Sequence, residues 1–159
     1  MILCRPAPGV LGFHEIPSPL AEILRKVPRL NESLSERAEA RFFPEPSDED
    51  QLSRDWKAHV QPGLQELFLD ARGTVSADLK AMKEIEGEWS LDFPERHIPA
   101  WLNALNQARL ALAETHGFSE KELSSRRPPP LDSPRDHARL EIDFLAAIQE
   151  WLVSIIEEE

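Results

Sequence analysis

One cysteine, no tyrosine and six glycines in 159 residues leave little material for several common kinds of chemistry. A single thiol, Cys4, forms no intramolecular disulfide, which agrees with a reducing compartment. The six glycines include no phosphate-cradling loop of the Walker or Rossmann type. The five histidines, His14, His59, His97, His116 and His137, show none of the helical spacings that gather metal ligands: H-E-x-x-H, C-x-x-C and E-x-x-H are all missing. No apolar run approaches the ~20 residues of a membrane span. The opening stretch MILCRPAPGVLGFHEIPSP has no basic region followed by a long apolar core, so it does not read as a secretory signal. The expected location is the cytoplasm, with no cofactor, no metal and no readable catalytic set.

Positive charge is also scarce. Eighteen Lys and Arg stand against 29 Asp and Glu, a net charge of −11. Nucleic acids and anionic membranes are bound mainly by neutralising phosphates, so neither is an expected partner. The field of such a chain draws basic proteins or cationic segments instead.

What the chain does have is enough apolar material for a core. Hydrophobic residues make up 41%, and 159 residues fit one domain, 1–159, needing no metal or disulfide staple. Residues 1–16 hold two short apolar runs, Ile2–Cys4 and Val10–Phe13, divided by Pro6, Pro8 and Gly9, the pattern of a small β-hairpin. Residues 17–125 read as the helical core. Leu20, Ile23, Leu24 and Val27 share one helix face, and Pro28 breaks that helix. A second, charged piece follows from Glu32 to Arg41. After the linker PEPSDED, with Ser47 and Asp50 as a capping pair, a helix carries Leu52, Trp56, His59 and Val60 on one side until Pro62. Leu64, Leu67, Phe68, Ala71, Val75, Leu79 and Met82 then form a core-facing stripe, with Gly73 either allowing close helix approach or marking a bend. Trp89, Leu91 and Phe93 alternate with polar residues, as a strand or an extended loop would. Trp101–His116 is apolar around most of its circumference, which makes it the central helix. The proline-rich stretch 126–134 serves as a stiff linker. The final helix, 135–159, carries Leu140, Phe144, Ile148, Trp151 and Ile155 on one seam, with Leu145, Leu152 and Ile156 beside it, and its broad stripe also suits a homodimer. Together these elements predict an all-α domain, a five- to six-helix bundle with a small N-terminal hairpin.

One polar set interrupts the central helix. Asn103, Asn106 and Arg109 recur every three residues on an otherwise apolar rod, and a buried polar group without a partner costs ~1–3 kcal/mol. Either Arg109 pairs with a carboxylate of another helix, with Asp70, Asp78 and Asp143 as candidates, or the three line a polar groove that receives a partner's backbone or carboxylate. Cys4 has His14 as the only base near it in sequence, and a nucleophile needs such a base within hydrogen-bond reach.

The core segment itself, Trp101-Leu102, then Ala104-Leu105-Asn106, then Arg109-Leu110-Ala111-Leu112, resembles the signature of a bacterial domain-of-unknown-function family, the one numbered two thousand and seventeen. Gln107 and the helix end Ala113–His116 depart from its common pattern. The resemblance implies a cytoplasmic helical protein, and, because many members are encoded close to the adaptor of the Clp protease, a link to protein quality control. The sequence therefore leads to a non-enzymatic interaction, adaptor or regulatory protein with another protein as partner, one of the Clp system being the implied case. The alternative is an enzyme or small-ligand-binding protein whose site is assembled from separated His and carboxylate side chains.

Overall fold

The computed structural model describes residues 1–30, 43, 50–125 and 127–157. Its first elements are the strands β1 (Ile2–Ala7) and β2 (Val10–Ile16), joined through Pro8–Gly9, where Gly9 takes a φ of 71° that favours glycine. The hairpin leads into α1 (Ser18–Lys26), which Pro28 ends by forcing a 3-10 turn over Val27–Arg29. The expected charged helix at residues 32–41 and the Ser47 cap lie outside the described residues. The chain continues as α2 (Asp50–His59) and α3 (Gln61–Lys80). Pro62 sits in the first turn of α3, where its missing N–H has no helical partner to lose.

A second hairpin follows, β3 (Lys83–Ile85) and β4 (Glu88–Pro94). Its two-residue turn, Glu86–Gly87, has positive φ at both positions, 54° and 86°, as a tight hairpin matched to strand twist requires. A 3-10 turn over Glu95–His97 enters α4 (Ile98–Thr115), with Pro99 in its first turn and Gly117 (φ 64°) beyond its end. The short α5 (Glu120–Leu123) precedes α6 (Pro134–Glu157). Ser133 Oγ accepts from the Asp136 N–H at 3.1 Å and so caps the start of α6.

The two hairpins form one antiparallel four-stranded sheet in the order β1-β2-β4-β3. In its central pair Leu11 faces Phe93 and Phe13 faces Leu91. Those four side chains are buried, while Gly12, His14 and Asp92 belong to the opposite face by strand alternation. Across the inner face lies Trp101 of α4, with ring centroids 5.4 Å from Phe13 and 5.0 Å from Phe93, and Trp151 of α6 lies 5.8 Å from Phe13. The core is thus shared between a sheet and the helices α1, α3, α4 and α6.

This overturns the all-α bundle. The fold is mixed, with a four-stranded antiparallel sheet forming one wall of the core. The N-terminal hairpin and the alternation at Trp89–Phe93 were readable as separate fragments. Their pairing was hidden because it joins segments some eighty residues apart, and β3 has no buried residue to mark it. Three details of packing also differ from expectation. On α2 Leu52 is exposed while Ser53 is buried, and Val60 just beyond the helix is exposed as well. The α3 stripe holds from Ala71 to Met82, but Leu67 near its start is exposed. Gly73 has open space around it, so it serves no close helix approach.

Candidate functional site

A step of three residues on an α-helix falls about 60° short of a full turn. Asn103, Asn106 and Arg109 therefore wind around α4 rather than forming one straight edge. Asn103 lies on the side of α3 and accepts a hydrogen bond from Gln107, Asn106 is exposed, and Arg109 turns toward α6. The structure does not bring the three into a single groove; it divides Asn103 and Arg109 between two.

Between α4 and α6 runs a groove of about 360 Å³ whose lining includes Arg109, Gln149, Glu150, Val153, Ser154 and Glu157. Arg109 Nη1 donates to Gln149 Oε1 at 2.5 Å, and Gln149 is fixed in turn by donating from Nε2 to the Leu102 carbonyl at 3.0 Å. The Arg109 Nε–H is buried and has no hydrogen-bond partner among the described residues. Burial lowers the Arg109 pKa, while the carboxylates of Asp143 and Glu150 act in the opposite sense. A guanidinium stays protonated in a protein, so this is a half-buried cation whose hydrogen-bond partner is a neutral amide.

None of the three carboxylates that could have paired with Arg109 is hydrogen-bonded to it among the described residues, although Asp143 is near enough to act on its charge. Asp143 accepts from Arg139 Nε at 3.0 Å. Asp70 lines a different groove. Asp78, buried near the end of α3, accepts from the Trp101 indole at 2.9 Å and from His97 Nδ1 at 3.0 Å. A carboxylate only accepts, so the proton of that bond sits on His97 Nδ1. His97 stands at the edge of a groove of about 340 Å³ between α3 and α4, with Leu67, Asp70, Thr74, Arg96 and Asn103 around it. The Asp78–His97–Trp101 set escaped the sequence reading, although one signal was there: Asp78 falls beside Val75, Leu79 and Met82 on an inward stripe, where a carboxylate needs partners.

Among the described residues the buried arginine is Arg139 on α6. It donates to Asp143 and to the carbonyls of Glu122, Leu123 and Ser125, tying the end of α5 to α6. Cys4 lies on the outer face of the sheet beside His14. Among the described residues, no group of three or more His, Cys, Asp or Glu side chains is arranged to hold a metal ion, and no helix is long and apolar enough to cross a membrane.

No curated protein and no solved structure matches the chain. A family model does, over residues 13–156, which takes in β4 and every helix that contributes to the two grooves. The chain belongs to the domain-of-unknown-function family DUF2017.

Proposed function

We propose that this chain is a cytoplasmic protein-interaction protein, an adaptor or regulator, that seats a carboxylate of an otherwise cationic partner segment on Arg109 in the groove between α4 and α6. The observation that carries this reading is the state of Arg109: half-buried, bonded to the neutral Gln149, with its Nε–H buried and unpartnered among the described residues. A desolvated guanidinium forms charge-assisted bonds roughly twice as strong as neutral ones, so an incoming carboxylate has a strong anchor there. Val153, exposed beside it, offers an apolar contact in the same groove. The rest of the partner is basic because a net charge of −11 attracts cationic segments and repels anionic ones. Given the implied neighbourhood of the Clp adaptor, components of that protease system are the first partners to look for.

The experiment captures proteins from cytoplasm on the tagged chain and on Arg109→Met, at low and high salt, after matching the two baits for melting temperature. A salt-sensitive partner held by the wild type and lost by Arg109→Met is the expected result. Equal recovery of the same proteins on both baits overturns the reading.

The alternative, a small-ligand or catalytic site built from separated His and carboxylates, draws on the ordered His97 ring at the α3–α4 groove. A metabolite screen by thermal shift separates the two. A ligand that stabilises the wild type but not His97→Gln favours this second reading, and no such ligand favours the first.

A further inference from the structure

The outer face of the sheet carries a row of three side chains that the interaction reading does not use. Cys4 on β1 is opposite Gly12 on β2, and Gly12 is opposite Asp92 on β4. His14, two residues beyond Gly12 on the same face, bridges the other two. Its Nδ1 lies 3.6 Å from Cys4 Sγ and its Nε2 lies 2.7 Å from Asp92 Oδ1. The thiol's other polar neighbour is the Gly12 carbonyl at 3.7 Å.

Gly12 is what allows this convergence. A methyl group added at its α-carbon would stand 2.7 Å from Asp92 Oδ1, 2.8 Å from His14 Nε2 and 3.1 Å from Cys4 Sγ. Glycine inside a strand weakens it, and it recurs where something must approach the backbone closely. Here the three functional side chains fill that space.

We propose that Cys4, His14 and Asp92 form a self-acylating site, in which Cys4 accepts a small acyl group from an activated ester or thioester. The Asp92 carboxylate only accepts, so it holds the proton on Nε2 and leaves the Nδ1 lone pair facing the thiol. Cys4 Sγ attacks the acyl carbon as its proton passes to His14 Nδ1. The carbon–sulfur bond forms, the bond to the leaving alcohol or thiol breaks, and His14 returns the proton to that leaving group. The products are a Cys4 thioester and a free alcohol or thiol, with no change of oxidation state. Burial, and then the Asp92 charge, push the Cys4 thiol up. It rests as the neutral thiol, and attack depends on the base beside it. The donor has access, since Cys4 is itself partly exposed and the side chains of His14 and Asp92 beside it are 33% and 55% exposed.

The test incubates the full chain with 4-nitrophenyl acetate, follows release of nitrophenolate, and maps the acetyl group by peptide mass spectrometry. One acetyl group on Cys4 is expected. His14→Gln should slow the reaction by roughly 100-fold, in line with loss of a general base. Asp92→Asn, at a more exposed position, should slow it by a smaller factor and shift the His14 ring nitrogens, read by nitrogen-15 NMR, toward a mixture of tautomers. The wild-type rate should also fall in heavy water, and that of His14→Gln should not. Acetylation of Cys4 at equal rates in the wild type and His14→Gln, or an acetyl group on other residues with Cys4 unmodified, overturns the proposal.

Discussion

Arg109 and Arg139 both withdraw guanidinium groups from water, but their partners differ in charge, and so should the cost of losing them. Arg139 serves Asp143 and the carbonyls of Glu122, Leu123 and Ser125, of which the Glu122 carbonyl also accepts from the Ser125 N–H. Arg139→Met should destabilise the protein by about 2–3 kcal/mol, because acceptors are left without donors. Arg109→Met exchanges a cation bonded to a neutral amide for an apolar stem of similar length, and should stay within about 1 kcal/mol of the wild type. Urea unfolding of the two variants decides this, and an Arg109→Met loss as large as that of Arg139→Met would make Arg109 structural. Asp78→Ala makes a related case. It strands the buried Trp101 indole N–H and should cost about 1–3 kcal/mol, with that indole proton resonance moving upfield as its acceptor disappears. Sequence reading named Arg109 and, as a possible partner, Asp78, but could not pair them, and it did not single out Arg139. Pairing depends on which helix faces meet, and Asp78 found its donors on the His97 turn and α4 instead of at Arg109.

At the scale of elements, helices were readable where caps and apolar spacing agree, as in α4 between Pro99 and Gly117. The sheet was less so. Its edge strand β3 is Lys-Glu-Ile, exposed throughout, in keeping with charged, short edges that resist pairing with other chains. Its turn uses Glu-Gly, a weaker hairpin signature than Asn-Gly. The short α5 shows how local chemistry holds an element with no buried residue of its own. Ser119 and Glu122 form a reciprocal capping box. The Ser119 backbone N–H, Arg135 and the Ser119 hydroxyl together lower the Glu122 pKa to about 2. The sign follows directly: a depressed carboxylate contributes stability that is complete above the ordinary value of 4.5 and lost as pH falls toward 2. Amide exchange at Glu122 and Ser124 should therefore accelerate across that interval in the wild type. In Glu122→Gln, which keeps a cap but not the charge, the acceleration should vanish. The same pH profile in both proteins would show that Glu122 is not the group responsible.

For the molecule as a whole, the decisive fact is that one hydrophobic cluster joins the sheet to the helices. Phe13 and Phe93 touch Trp101, and Phe13 also touches Trp151, so neither layer has a core of its own. A bundle with an appended hairpin would let the hairpin melt first, since two strands alone are marginal in water. The mixed fold observed here requires sheet and helices to unfold together. Phe93→Ala should therefore cost about 3–5 kcal/mol although the residue lies on a strand. The far-ultraviolet helical signal and the near-ultraviolet aromatic signal should lose their amplitude at the same denaturant concentration in both proteins. The helix α2 is the contrast, with Ser53 buried but Leu52 exposed and no residue in the shared cluster. Its amides should exchange by local opening at a lower free energy than those of α4, whose Trp101, Leu105 and Ala108 are completely buried. If the aromatic signal of the wild type were lost while the helical signal persisted, the sheet would be a separable layer, and the shared core would not be what makes this chain fold.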